Sequence, residues 1–386
     1  MNAQRRLSSR KPSVQTHSVD RHTRSAGFTL VELLVVITII GILAGLAVPA
    51  IFSAVKTARS TAMKMELNSL ETAVQKYQEK YGDYPPDFSD WAVVERHYRK
   101  IFPRISGDLV LLQRMLDANP YNPLMGNFDL NPNVHDPIMM DRGEVLNWVL
   151  GGYSSDPLRP FTGPGGPLEK VGQVTQSGTN YDIYQVNTSR ENSFFDFGPG
   201  QLDLTLKTKN APINLNNYYK SSDNDLFLSY ASSTKTKTPH VYFDSRTYDH
   251  KSVLGFNGFS RSNDTGSVRP YLSDIVQTNG GWQFMKPNSF QIIAPGIDTN
   301  FGWLSQRGGP NIPTDQDTAV YFQYPTGKAV TFDVSTNPIT RALRPDVNRY
   351  QEPVPALAGQ SNVIDDGQQD NLTNFADGKL IDELKE

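Results

Sequence analysis

The chain has 386 residues, 37 basic and 40 acidic side chains, no cysteine and a formal charge of −3. That balance excludes non-specific nucleic-acid binding, which needs a basic face. The missing cysteine excludes a disulfide staple and a cysteine nucleophile.

Residues 1–26 carry Arg5, Arg6, Arg10, Lys11, Arg21 and Arg24 against the single acid Asp20. Clustered positive charge next to an apolar run holds that end in the cytoplasm. The run follows at once, from Gly27 to Val55: GFTLVELLVVITIIGILAGLAVPAIFSAV. Leu33–Val55 is 23 residues without a charge, and about 20 suffice to cross a bilayer as a helix. Glu32 stands at the head of this run, where burial in hydrocarbon penalises a carboxylate, so a neutralising partner outside the chain is expected. No small-residue secretory cleavage site follows the run, so the hydrophobic segment is expected to stay.

Gly27-Phe28-Thr29-Leu30-Val31-Glu32 followed by an apolar helix resembles the class III signal of type IV pilins and type II secretion pseudopilins. The resemblance implies that a prepilin peptidase cuts after Gly27 and methylates the new N-terminus, Phe28. It makes Glu32 the family's assembly glutamate, and Gly41 and Pro49 the helix glycine and proline where the helix can kink. The leader is longer than is usual for the family. Without residues 1–27 the chain keeps 31 basic and 39 acidic residues, a charge near −8. Many type IV pilins carry a C-terminal disulfide and G-type pseudopilins do not, so the absence of cysteine tilts the resemblance toward the G-type.

The helix is expected to continue past the membrane. Met63, Leu67, Leu70, Val74, Tyr77 and Tyr81 form one apolar stripe at spacings of three and four, with charged residues on the other faces. Gly82 and Pro85-Pro86 end it. Phe28–Tyr81 would be about 80 Å long, so its second half must bury its stripe on a soluble domain. Trp91–Leu116 reads as one or two short helices, and Gly143–Leu150 as another closed by Gly151-Gly152. Strands are expected at Tyr181–Val186, Gln201–Leu206, Leu226–Tyr230, His240–Phe243, Phe290–Ala294 and Ala319–Phe332. Loops are expected at Arg159–Pro167, Ser232–Thr238 and Ser260–Ser267. Helix first and antiparallel strands later give an α+β class. The expected division is leader 1–27, membrane segment 28–55, amphipathic half-helix 56–84 and a soluble domain 85–386, the last enlarged by an insertion at about 120–285.

Phe290–Gly302 reads as a strand entering an Asp/Gly loop with Asp298 and Asn300, and Asp365-Asp366-Gly-Gln-Gln-Asp370-Asn371 stands near the end. G-type pseudopilins end similarly and hold a calcium ion there. The resemblance thus implies a calcium site built from Asp298, Asp365, Asp366, Asp370 and Asn371, whose oxygens suit that ion; solvated turn residues are the alternative. His97, His135, His240 and His250 show no ligand spacing, and no nucleophile motif is present, so no enzymatic activity is expected. His240 and His250 beside Asp244 and Asp249 read as surface-loop residues.

The resemblance implies a pseudopilin-like structural subunit, single-pass in the inner membrane with its body in the periplasm. Its partners would be prepilin peptidase, other copies or related pseudopilins through the N-terminal helix, and an inner-membrane assembly platform. The alternatives are a type IV pilin, major or minor, with a surface-displayed binding domain, and a membrane-tethered enzyme.

Overall fold

A computed structural model describes residues 28–116, 140–176, 179–207, 218–220, 226–232, 238–249, 258–260, 266–276, 282–302, 320–333, 340–343, 349–354 and 363–385. The chain divides after Val55 into two compact units. Helix α1 (Leu30–Tyr81) begins in the first and ends in the second. In the first unit its side chains are all exposed, and the helix is long and apolar enough to cross a membrane.

In the second unit α1 buries Leu67, Leu70, Ala73, Val74 and Tyr77, the stripe expected from their spacing. Gly82 closes the helix in the left-handed region (φ 71°), its N–H donating to the Gln78 carbonyl at 2.7 Å. Helix α2 (Trp91–Ile101) starts where the Asp90 carboxylate accepts the Val93 N–H at 2.9 Å. Helices α3 (Gly107–Leu116) and α4 (Val145–Leu150) follow, and every residue of α4 is buried. The Arg190 guanidinium caps the end of α4, donating to the carbonyls of Asn147 (2.8 Å), Trp148 (2.6 Å) and Gly152 (2.7 Å).

The strands come next: β1 (Leu168–Gln176), β2 (Thr179–Val186), β3 (Thr205–Lys207), β4 (Tyr218–Lys220), β5 (Val241–Asp244), β6 (Phe259–Ser260), β7 (Ser267–Val268) and β8 (Leu272–Val276). They continue as β9 (Trp282–Phe284), β10 (Phe290–Ala294), β11 (Val320–Tyr324), β12 (Ala329–Asp333), β13 (Thr340–Leu343), β14 (Glu352–Val354), β15 (Val363–Asp365) and β16 (Leu372–Thr373). Among the described residues they form a three-stranded sheet β16-β10-β5, a five-stranded sheet β13-β12-β11-β8-β9, and four two-stranded ladders. All pairings are antiparallel except β11 with β8. The long apolar N-terminal helix followed by antiparallel sheets is a pilin-like α+β fold.

Strands β5 and β10 are buried along their whole length, because each face meets a separate core. Tyr242 and Ile292 join the cluster of α1, α2, α3 and α4, whereas Val241, Phe243 and Ile293 join one with Phe301, Val320 and Phe322. β5 lies within 120–285, yet it pairs with β10 along Val241–Asp244.

Several sequence expectations are corrected. Leu226–Tyr230 is not a strand; it is buried, and only Tyr230 makes a bridge, to Leu202. Of Gln201–Leu206 only Thr205 and Leu206 lie in a strand, β3, and Gln201 ends a 3-10 turn that starts at Pro199. Ala319–Phe332 is two strands, since Gly327 (φ 67°) turns the chain between β11 and β12. β1 shows no clean apolar alternation, as its ladder shifts register between Lys170 and Gly172.

Candidate functional site

The first turn of α1 carries a capping box. Glu32 Oε2 accepts the Thr29 N–H and the Thr29 hydroxyl, each at 2.8 Å, while Thr29 Oγ1 accepts the Glu32 N–H at 3.2 Å. Thr29-x-x-Glu32 was legible as such in the sequence, where the carboxylate reads only as an intermolecular partner. Within one chain the glutamate thus has local donors that lower the penalty of its charge beside an apolar helix. Thr38 likewise returns its hydroxyl to the Leu34 carbonyl at 2.8 Å, which satisfies the hydroxyl within the helix itself. Phe28 is 77% exposed, and the large side chains from Leu30 to Val55 form an apolar surface that a water-soluble monomer would not keep open. α1 is helical through Gly41 and Pro49, and a side chain at Gly41 would meet no atom within 4 Å. Gly27 lies outside the described residues.

The second half of α1 is held by the C-terminal segment. Lys64 Nζ donates to the carbonyls of Thr373 (2.7 Å) and Ala376 (2.5 Å). Glu71 pairs with Lys286 at 3.4 Å and accepts the Asn374 amide at 3.4 Å. Asn374 in turn accepts the Ile292 N–H at 3.0 Å, tying the tail to β10.

The two segments read as a calcium site do meet, through hydrogen bonds. Asp370 Oδ2 accepts the Ile297 N–H at 2.8 Å, and Asn371 Nδ2 donates to the Phe301 carbonyl at 3.3 Å. Asn371 also bonds the Tyr271 hydroxyl at 3.1 Å and Gln368 at 3.2 Å. Asp298 is exposed and its Oδ1 accepts the Asn300 N–H at 2.9 Å, a turn role. Asp366 is exposed, and Asp365 ends β15. Among the described residues no three His, Cys, Asp or Glu side chains come together to hold a metal ion. Two buried oxygens in this segment, Asp370 Oδ1 and Asn371 Oδ1, have no hydrogen-bond partner. Burial pushes the Asp370 carboxyl above its usual range, against the opposing Ile297 and Asp298 N–H groups. A bound cation would reverse that shift.

A junction that spacing did not reveal locks the end of α1 to the body. Tyr77 OH lies 2.8 Å from His97 Nε2, and His97 Nδ1 lies 3.1 Å from Asp83 Oδ2. Arg246 donates to Asp83 at 2.9 Å and to Asp244 at 2.6 Å. For Asp83, burial works upward, but the His97 hydrogen bond and the Arg246 charge outweigh it and hold the carboxyl at about 2. Burial lowers the His97 pKa. Beside it, Arg142 and Asp87 form a buried ion pair at 2.8 Å. His240 and Asp244 are buried rather than on a surface loop: His240 bonds Ser232 Oγ at 2.8 Å and the Tyr230 carbonyl at 3.2 Å. His250 and His135 lie outside the described residues.

The model of the prokaryotic N-terminal methylation motif matches residues 22–48. Over 62 residues the chain is 37% identical to the type II secretion system core protein G of Pseudomonas aeruginosa, covering 16% of this chain and 44% of that protein. The chain therefore spans less than half the length of the curated relative it matches. No solved structure matches. The methylation motif at the head of a long apolar helix, together with this partial likeness, supports a place for the chain in the pilin and pseudopilin family.

Proposed function

We propose that the chain is a structural subunit of a type II secretion pseudopilus that supports protein export. The observation that carries this reading is the methylation motif at 22–48, set at the head of a helix whose first half is wholly exposed and apolar. Prepilin peptidase cuts between Gly27 and Phe28 and methylates Phe28. The helix then holds the subunit in the inner membrane with its body in the periplasm, and the assembly platform draws it into a filament with other copies or related pseudopilins. The family consists of structural proteins, and no catalytic step is assigned to this chain.

In this reading Glu32 exchanges its contacts with Thr29 for the N-terminal amine of a neighbouring Phe28. Removing one member of a buried charge pair costs about 3–5 kcal/mol, because the other charge is left uncompensated. Glu32→Ala should therefore insert in the membrane yet fail to enter filaments, as read by cross-linking of adjacent subunits. Normal incorporation of Glu32→Ala would overturn the pairing.

A further inference from the structure

Away from the helix and the C-terminal tail, a cavity of about 430 Å³ opens between α3, the 156–163 loop and the β1–β2 hairpin. Its size is that of a small-molecule site. One wall is fixed by Asp108, whose carboxylate accepts the N–H groups of Phe161 (2.6 Å) and Thr162 (3.1 Å) and the Thr162 hydroxyl (2.7 Å). Those bonds saturate Asp108 and set the loop that carries Arg159. The Arg159 backbone is pinned too, its N–H donating to Asp156 at 3.2 Å and its carbonyl accepting from Gly163 at 2.9 Å. Its side chain lines the cavity, and its guanidinium makes no hydrogen bond or ion pair with any described residue. Its charge is felt by Asp108, but its fork of donors carries no hydrogen bond among the described residues, which leaves it able to receive a carboxylate in bidentate fashion.

The β1–β2 hairpin adds the Lys170–Asp182 ion pair to the lining, at 2.6 Å. Gln173 bonds the same carboxylate at 2.7 Å. The ammonium keeps two donors and the carboxylate keeps lone pairs, so this part of the lining suits hydroxyl groups, which donate and accept at once. Leu111 and the Tyr184 ring supply an apolar flank for the C–H face of a sugar. The cavity holds two cations and two carboxylates, so one added negative charge is tolerated at Arg159. A phosphate dianion would bring twice that charge against Asp108 and Asp182.

We propose that this cavity binds a saccharide bearing a carboxylate, a uronic acid, with the carboxylate on Arg159 and ring hydroxyls on Lys170 and Asp182. The site rests on no part of the secretion reading and gives the enlarged body a recognition role of its own.

The test is calorimetric titration of the full-length protein in detergent micelles with D-galacturonate, D-galactose and inorganic phosphate. Galacturonate should bind at least tenfold more tightly than galactose, and phosphate should not displace it. Arg159→Gln should bring galacturonate to the galactose level, a loss of about tenfold or more, with an unchanged melting temperature because the side chain is exposed. Arg159→Lys should fall between, since it keeps the charge and loses the fork. Equal binding of the two sugars, displacement by phosphate, full affinity in Arg159→Gln, or no saturable binding of either sugar would overturn the proposal.

Discussion

Gly296→Ala should loosen the C-terminal tail although it changes one hydrogen into a methyl group. A Cβ at Gly296 would lie 1.9 Å from the Asp370 Cγ and 2.0 Å from its Oδ1. Ordinary contact begins near 3.4 Å, so the carboxylate must retreat by about 1.5 Å, and its 2.8 Å bond to the Ile297 N–H is lost. A hydrogen bond to a charged group contributes about 1.5–3 kcal/mol. For a unit as large as Lys56–Glu386, each kcal/mol moves the midpoint by about 1.5 °C, so a fall of about 2–4 °C is expected. The assay is a thermal melt of the full chain, with limited proteolysis reading the tail. In an Asp370→Ala background the same glycine change should cost little, because the group it displaces is gone. An unchanged midpoint, or an equal fall in both backgrounds, would refute the coupling of Asp370 to the Gly296 turn.

Two further outcomes follow from the same geometry. Asp83 is depressed from 3.8 to about 2, so its contribution is full above its unfolded value and is lost as pH falls from about 4 toward 2. The shift corresponds to about 2.5 kcal/mol unscreened, and about 1 kcal/mol after discounting for partial exposure; Asp83→Asn should flatten acid denaturation in that window, and an unchanged acid profile would count against the junction. If calcium occupies the orphaned oxygens of Asp370 and Asn371, melting should rise with calcium by about 2.7 kcal/mol of stability at a hundredfold excess over Kd. Identical melts in calcium and chelator would leave hydrogen bonds alone holding the tail.

The elements legible in the sequence are those whose burial is one-dimensional. α1 shows an unbroken apolar run whose side chains are exposed all round, and then a stripe at spacings of three and four where one face alone is buried. β10 was legible as FQIIA and β5 within His240–Phe243, since both faces are covered and the residues run apolar without alternation. Leu226–Tyr230 is equally apolar, but its side chains serve the core without a ladder, which composition cannot distinguish. The contacts that hold the candidate site together join residues far apart in sequence. Asp370 meets Ile297, and Lys64 meets Thr373 and Ala376, through backbone groups that any sequence would supply. Turn-forming and calcium-binding chemistry use the same residues, so the Asp-rich loops suit either in the sequence, and Asp298 accepts a hydrogen bond within its own turn. The Thr29–Glu32 box was available from spacing and was masked by the intermolecular role that the resemblance gives Glu32.

The central claim is that this chain is processed as a pilin-like subunit, and intact-mass spectrometry of the native protein from membranes tests it most directly. A chain beginning at N-methyl-Phe28, lighter than the translated protein by the mass of residues 1–27 less one methyl group, is the expected result. A mass that retains Gly27 and everything before it, in cells with a working prepilin peptidase, would contradict the account.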